Sequence, residues 1–140
     1  MMWPLAHVLA IPDAKLSTKA IYEGAQFDLT ASKPSIRMVL HALSNGSPSE
    51  LAPGLWNDFE PEAIRRCPVI SLIQSCLREH GCLAARVSGS GPSVFGLCRD
   101  LAHAQDVTQR LRQCSEARPW RIELIQTDHR PSFVATPFVS

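Results

Sequence analysis

The 140-residue chain lacks the features of a membrane protein, a secreted protein or a nucleic-acid-binding protein. No apolar run approaches the ~20 residues that span a bilayer. The first residues lack the basic region, apolar run and cleavage site of a signal peptide. The formal net charge is only +1, so no general attraction to nucleic acid or to anionic membranes is implied. We therefore expect a cytoplasmic protein that uses neither nucleic acid nor a membrane as a partner.

The cysteine and histidine patterns argue against a disulfide framework and against a metal site. The number of cysteines is odd, and no two have Cys-x-x-Cys spacing. The closely spaced ligand pairs of a zinc site are missing, and the five histidines are scattered. We therefore predict reduced, buried thiols and no metal ligands. The cysteines are Cys67, Cys76, Cys82, Cys98 and Cys114.

What is present suits one globular domain with a single core. The chain is 45% hydrophobic and 19% charged, as is usual for such domains. Apolar spacing and turn residues predict strands at 8–11, 83–87, 93–98 and 121–127, and helices at 19–26, 35–43, 61–66, 68–79 and 101–114. This order predicts an α+β fold, an antiparallel sheet with helices packed on one face. The last elements are compatible with a ferredoxin-like core.

A glycine-rich loop joins the second and third predicted strands, within the run A-A-R-V-S-G-S-G-P-S-V-F-G-L at 84–97. Gly89 and Gly91 can take positive φ, and such a loop can turn backbone N–H groups toward an anion. It is not a Walker A loop, because no Gly-Lys-Ser/Thr follows. It is not a dinucleotide fingerprint either, because Val94 stands at the third glycine position. By itself the run favours a plain, tight β-loop-β connection.

Two further stretches carry polar or aromatic residues at positions of interest. Ser17 or Thr18 can cap the first helix, and Tyr22, the one tyrosine of the chain, lies four residues after Thr18. Tyr22 is either a binding surface or an ordinary core or rim residue. In N-D-F-E-P at 57–61, acidic residues precede a predicted helix, which favours a structural role. Arg86, beside the glycine loop, faces either a phosphate or the solvent side of the sheet, and we favour the latter.

Two motifs resemble those of the GHMP kinases (galacto-, homoserine, mevalonate and phosphomevalonate kinases), which are two-domain, ATP-dependent enzymes. A-R-V-S-G-S-G-P-S-V-F-G is similar to their third conserved motif, in the C-terminal domain. V-L-A-I-P-x-x-x-L-S-T-x-x-I-Y is similar to the start of that domain in the member of the non-mevalonate isoprenoid pathway that phosphorylates a cytidine-nucleotide substrate. The resemblance covers residues 8 to 127 and implies a single GHMP kinase C-terminal-like domain over 1–140.

The resemblance also implies roles for particular residues. Thr18 would lie at the substrate cleft, and Tyr22 would stack on the cytosine ring. Ser88, Gly89, Ser90 and Gly91 would form a rigid backbone lining near the phosphates. No catalytic residue is implied for this chain, because the lysine and aspartate that activate the substrate hydroxyl belong to the family's N-terminal domain.

Only half of such a kinase is accounted for. The family's phosphate-binding loop, P-x-x-x-G-L-G-S-S-A, has no counterpart here, so we expect the N-terminal ATP-binding domain to be absent. ATP and Mg²⁺ would then serve the complete enzyme, with no cofactor for this chain alone and no kinase activity of its own. A separate N-terminal kinase domain would be its partner. The alternatives are a non-catalytic, stand-alone domain that binds a small ligand or forms a homodimer, and a family member with another alcohol substrate.

Overall fold

The sheet has the strand order of a ferredoxin-like fold. The computed structural model describes residues 5–25, 41 and 47–126. Its four strands are β1 (Ala6–Ile11), β2 (Ala84–Val87), β3 (Val94–Leu97) and β4 (Arg121–Gln126). They are ordered β2-β3-β1-β4, and every neighbouring pair is antiparallel. Strands β1 and β2 therefore run parallel with β3 between them, which is the split arrangement of that fold. The predicted fold class is confirmed.

The described residues form five α-helices and one 3₁₀ turn. They are α1 (Thr18–Gly24), α2 (Pro48–Leu51), the 3₁₀ turn (Ala52–Gly54), α3 (Glu60–Arg66), α4 (Val69–Glu79) and α5 (Leu101–Gln113). The predicted helix at 35–43 lies outside the described residues apart from His41, and so does the tail from residue 127.

One short helix departs from the prediction. Pro48 lies outside every predicted helix, yet it begins α2. The Ser47 side chain accepts a hydrogen bond from the Glu50 N–H at 3.3 Å, which caps the helix. Proline suits the first helical position because the N–H that it lacks would have no partner within the helix there. The sequence thus contained a start signal that the neighbouring Asn-Gly obscured.

Helices α4 and α5 cover one face of the sheet and form the main core. Apolar residues recur at helical spacing along both helices, so each helix buries one stripe. Ile73 and Leu77 from α4 and Val107 and Leu111 from α5 are completely buried. Each such side chain contributes about 1.5–3 kcal/mol relative to an exposed one. This packing fixes the sheet that carries the glycine loop.

A second, smaller cluster lies on the other face of the sheet. Leu51 and Ala52 pack there with Ala84 and Leu97, so α2 and the 3₁₀ turn sit against β2 and β3. This adds to the predicted layer of helices on one face. It also anchors the chain just before residue 55. The polar stretch 57–60 is thereby brought to the end of β2, where the glycine loop begins.

The five cysteines are free thiols, as predicted. Four are buried, and Cys114 is half-buried. The Sγ atoms of Cys82 and Cys98 lie 3.9 Å apart in the core. The hydrogen bond that Cys82 shares with Cys98, together with burial, raises the pKa of the Cys82 thiol well above its usual range. Cys82 is therefore an inert packing residue rather than a nucleophile.

Candidate functional site

Helix α1 presents Thr18 and Tyr22 on one exposed face. The Ser17 side chain accepts a hydrogen bond from the Ala20 N–H at 3.2 Å and caps the helix. Thr18 and Tyr22 are one turn apart and therefore lie on the same side of the helix. Ile21 is completely buried and holds α1 against the core, whereas Tyr22 is 66% exposed. Ile21 and Tyr22 thus point to different sides of α1, because consecutive residues are about 100° apart around a helix.

The glycine loop forms a tight turn between β2 and β3. Gly89 has φ of 58° and Gly91 has φ of 83°, both in the left-handed region that glycine adopts at little cost. The Gly91 N–H donates to the Ser88 carbonyl at 3.0 Å, and the Ser88 N–H donates to the Ser93 carbonyl at 2.8 Å. The N–H groups of Gly89 and Ser90 have no acceptor in the described part of the chain. The hydrogen bonds of the loop itself thus do not use these two adjacent backbone donors.

Gly91 is required for space as well as for conformation. A Cβ at this position would lie 3.3 Å from Leu16 Cδ1 and 3.3 Å from Val87 Cγ1. Both contacts are tighter than ordinary van der Waals packing. Ser88 and Ser90 are also buried, at 3% and 9% exposure, while Gly89 is exposed. The loop is therefore packed into the domain on one side and open at its tip.

A hydrogen bond between two hydroxyl groups joins α1 to the glycine loop. Thr18 Oγ1 lies 3.2 Å from Ser90 Oγ, although the two residues are 72 positions apart in the sequence. Two of the residues singled out from separate motifs are therefore in direct contact. The face of α1 that carries Thr18 and Tyr22 and the loop 88–91 form one surface, which we call the candidate cleft wall.

The Phe59 ring packs against the Tyr22 ring. The two ring centroids are 5.5 Å apart and the ring planes are inclined by 36°. This separation is typical of favourable aromatic pairs. Phe59 itself packs against the main core. Tyr22 is thus held by a neighbour while most of its surface faces solvent, which is the arrangement that a stacking surface needs.

The stretch 57–60 holds the end of β2, a role that the sequence did not reveal. Asn57 Nδ2 donates to the Val87 carbonyl at 2.7 Å and to the Gly89 carbonyl at 2.8 Å. Glu60 Oε1 accepts from the Val87 N–H at 2.9 Å. Glu60 begins α3 next to Pro61, so the predicted helix start is also present. No local pattern links residues 57–60 to residues 87–89, so sequence reading could not find this contact.

Arg86 is engaged by protein groups rather than free for a phosphate. Its Nη1 lies 3.2 Å from Glu60 Oε2, and its Nε donates to the Leu55 carbonyl at 3.2 Å. Arg86 was predicted to face either a phosphate or the solvent side of the sheet. The side chain is instead half-buried and paired with Glu60. The fixed position of Arg86 ties β2 to the start of α3.

The carboxylates beside the candidate cleft wall are similarly engaged. Glu62 pairs with Arg65 and Arg66, and their hydrogen bonds hold the pKa of the Glu62 carboxyl below its usual value.

Within residues 5–25 and 47–126 no group of three His, Cys, Asp or Glu side chains could hold a metal ion. None of the helices in this part of the chain has the length and apolar character to cross a bilayer.

The chain is similar to known kinases in sequence and in fold. The family described as GHMP kinases C terminal matches residues 39–117. A 4-diphosphocytidyl-2-C-methyl-D-erythritol kinase from Pelotomaculum thermopropionicum is 34% identical over 113 residues, which cover 81% of this chain and 39% of the relative. The kinase of the same name from Lachnospira eligens is 35% identical over 116 residues, covering 82% and 40%. The chain thus spans about 40% of the length of these curated relatives.

Solved structures share the fold at lower identity. A 4-(cytidine 5'-diphospho)-2C-methyl-D-erythritol kinase superposes with a TM-score of 0.70 and 24% identity, covering 89% of this chain and 43% of that one. Homoserine kinase from Cytophaga hutchinsonii gives 0.66 and 17%, with coverage of 89% and 41%.

Proposed function

The chain belongs to the family GHMP kinases C terminal, and we propose on that premise that it forms the substrate-binding wall of an ATP-dependent kinase. The substrate would be a small cytidine nucleotide, 4-diphosphocytidyl-2-C-methyl-D-erythritol, after which the relatives are named. The observation that carries the proposal is the 3.2 Å contact between Thr18 and Ser90, which unites the two motifs in one surface. An exposed tyrosine on the same helix face completes the surface.

Each part of the candidate cleft wall has a role in this proposal. The ring of Tyr22 stacks on the cytosine base, an interaction that needs a flat, accessible aromatic face. The Thr18 hydroxyl hydrogen-bonds the substrate. The N–H groups of Gly89 and Ser90 face the diphosphate, since successive backbone donors in a turn favour anions. These groups bind and orient the substrate, and none of them transfers a proton in the reaction.

The chemical step requires groups from outside this chain. Phosphoryl transfer depends on a cradle for ATP, on Mg²⁺ and on positioned charges. Glu60 and Glu62 of α3 are engaged by arginine side chains, so these two carboxylates do not fit the role of Mg²⁺ ligands. We propose that an N-terminal kinase domain in the cytoplasm supplies ATP, Mg²⁺ and the catalytic residues. The 140 residues alone would then have no kinase activity.

The test is a calorimetric titration of this chain with 4-diphosphocytidyl-2-C-methyl-D-erythritol, repeated with Tyr22→Ala and Tyr22→Phe. Base–aromatic stacking contributes about 1–3 kcal/mol, so Tyr22→Ala should weaken binding by roughly ten- to a hundredfold. Tyr22→Phe keeps the ring and should bind nearly as well as the wild type. Equal binding by all three proteins would refute the stacking role.

A second arm separates an incomplete site from a wrong function. If the folded wild-type chain binds nothing, the titration is repeated after addition of the N-terminal half of a homologous kinase. Binding and phosphorylation that appear only then support a cleft that needs both halves. Self-association at micromolar concentration without nucleotide binding would instead favour the stand-alone module that dimerises.

A further inference from the structure

We propose that Asn57 is a positioning residue that couples the two parts of the candidate cleft wall, the glycine loop and the Tyr22 ring. This inference rests on the proposed function and extends it to a residue outside both motifs. Asn57 lies in the turn before α3, and none of its hydrogen bonds goes to a residue of α1. Its effect on the site would therefore pass through the loop and through Phe59, to which it is hydrogen-bonded.

The side-chain amide of Asn57 is hydrogen-bonded through both of its N–H groups and through its oxygen. Both N–H groups of Nδ2 are used, at 2.7 Å to the Val87 carbonyl and 2.8 Å to the Gly89 carbonyl. The side-chain oxygen accepts from the Phe59 N–H at 2.9 Å. An amide that is satisfied on both sides has one favoured orientation. Asn57 thus bridges the loop to the turn that carries Phe59.

The two ends of this bridge are the two supports of the candidate cleft wall. Gly89 supplies one of the two backbone N–H groups that we assign to the diphosphate, and its carbonyl is held by Asn57. Phe59 supports the Tyr22 ring at a centroid separation of 5.5 Å. Asn57 therefore adds a second link between the base-binding ring and the phosphate-binding loop, beside the hydrogen bond between Thr18 and Ser90. Such fixed spacing matters because a misplaced group weakens binding even when it is still present.

Glu60 strengthens the attachment at the same strand end. Its carboxylate accepts from the Val87 N–H, so both backbone groups of Val87 are bound by side chains of the 57–60 turn. The strand end cannot shift relative to the turn without breaking these bonds. The Gly89 carbonyl, in contrast, is held by Asn57 alone among the described side chains. Substitution of Asn57 should therefore release the loop tip selectively and leave β2 in place.

The test compares Asn57→Ser with the wild-type chain. Serine is neutral, and its oxygen can still accept from the Phe59 N–H, but it cannot donate to both carbonyls. Two probes read the two parts of the site, cytidine for the ring alone and cytidine 5'-diphosphate for ring and loop. We expect Asn57→Ser to weaken binding of the diphosphate by about tenfold and to leave binding of cytidine within about twofold of the wild type. Thr108→Val is the matched control, because it removes a buried hydrogen bond to Ala104 in α5.

The results distinguish failure of this inference from failure of the proposed function. Equal losses for both probes, or no loss for either, would overturn the positioning role while the proposed function stands. If the wild type binds neither probe, the proposed binding by this chain fails, and amide hydrogen exchange decides the role of Asn57. Exchange at Gly91, whose N–H donates to the Ser88 carbonyl within the loop, should then rise at least about tenfold in Asn57→Ser relative to Thr108→Val. Unchanged exchange would overturn the inference without any ligand.

Discussion

Replacement of Gly91 by alanine should destabilise the domain more than the same replacement at Gly89. Both glycines have positive φ, 83° and 58°, so alanine at either site costs about 1–2 kcal/mol of backbone strain. Only Gly91 adds crowding, because its new Cβ would lie 3.3 Å from Leu16 and from Val87. Overpacking of this kind typically costs about 1–3 kcal/mol. Gly89 is exposed and should escape that second cost.

The assay is urea unfolding of the wild type, Gly91→Ala and Gly89→Ala, monitored by circular dichroism. Alanine reduces the entropy of the unfolded chain equally at both positions, so the difference between the two variants isolates the crowding. With a urea dependence of ~2 kcal/mol/M, a 2 kcal/mol difference separates the two midpoints by ~1 M. Gly89→Asn should lose less than Gly89→Ala, because asparagine adopts the left-handed region more readily. Coincident midpoints for the two alanine variants would refute the packing of Gly91 described above.

Two other predictions concern buried polar groups. Burial lowers the pKa of His7 from 6.5 to about 4. Between these two pH values the unfolded chain binds a proton that the folded chain does not bind. The free energy of unfolding therefore falls as the pH drops through this range. His7 alone should remove up to about 3 kcal/mol between pH 7 and pH 4, and His7→Gln should flatten this part of a pH series of urea midpoints; an unchanged slope would contradict the assignment. Glu60→Ala should cost about 1–3 kcal/mol in urea unfolding, because it leaves the Val87 N–H without its acceptor and removes the carboxylate that pairs with Arg86 Nη1. Glu60→Gln, which keeps an acceptor oxygen, should cost clearly less, and equal losses would show that the hydrogen bonds are unimportant.

Much of the fold could be predicted from local sequence patterns. The strands, α4 and α5 follow from apolar spacing, since a helix or strand buries one face with its own period. The left-handed glycines at 89 and 91 follow from composition, because other residues rarely adopt that conformation. The start of α2 at Pro48 was missed, although Ser47 and Pro48 are local signals.

The candidate site divides in the same way. Thr18, Tyr22 and the loop 88–91 could be selected from their motifs, and the exposure of Tyr22 at 66% agrees with a surface role. The distance between Thr18 and Ser90 could not be predicted, because it depends on how α1 docks beside the loop. The supporting role of Phe59 under Tyr22 was likewise invisible in the sequence.

The sequence by itself determined which segments become helices and strands, where the chain turns and which family its motifs resemble. These properties depend on residues within one turn or one hairpin of each other, so short stretches of sequence are enough to predict them. Only the tertiary structure decided that Asn57 and Glu60 hold the end of β2 and that Arg86 pairs with Glu60. Those contacts join residues 26 to 30 positions apart, and their partners are chosen by the packing of α3 against β2. The need to satisfy buried backbone groups at a strand end is general, but which side chain satisfies them is settled only when the elements meet.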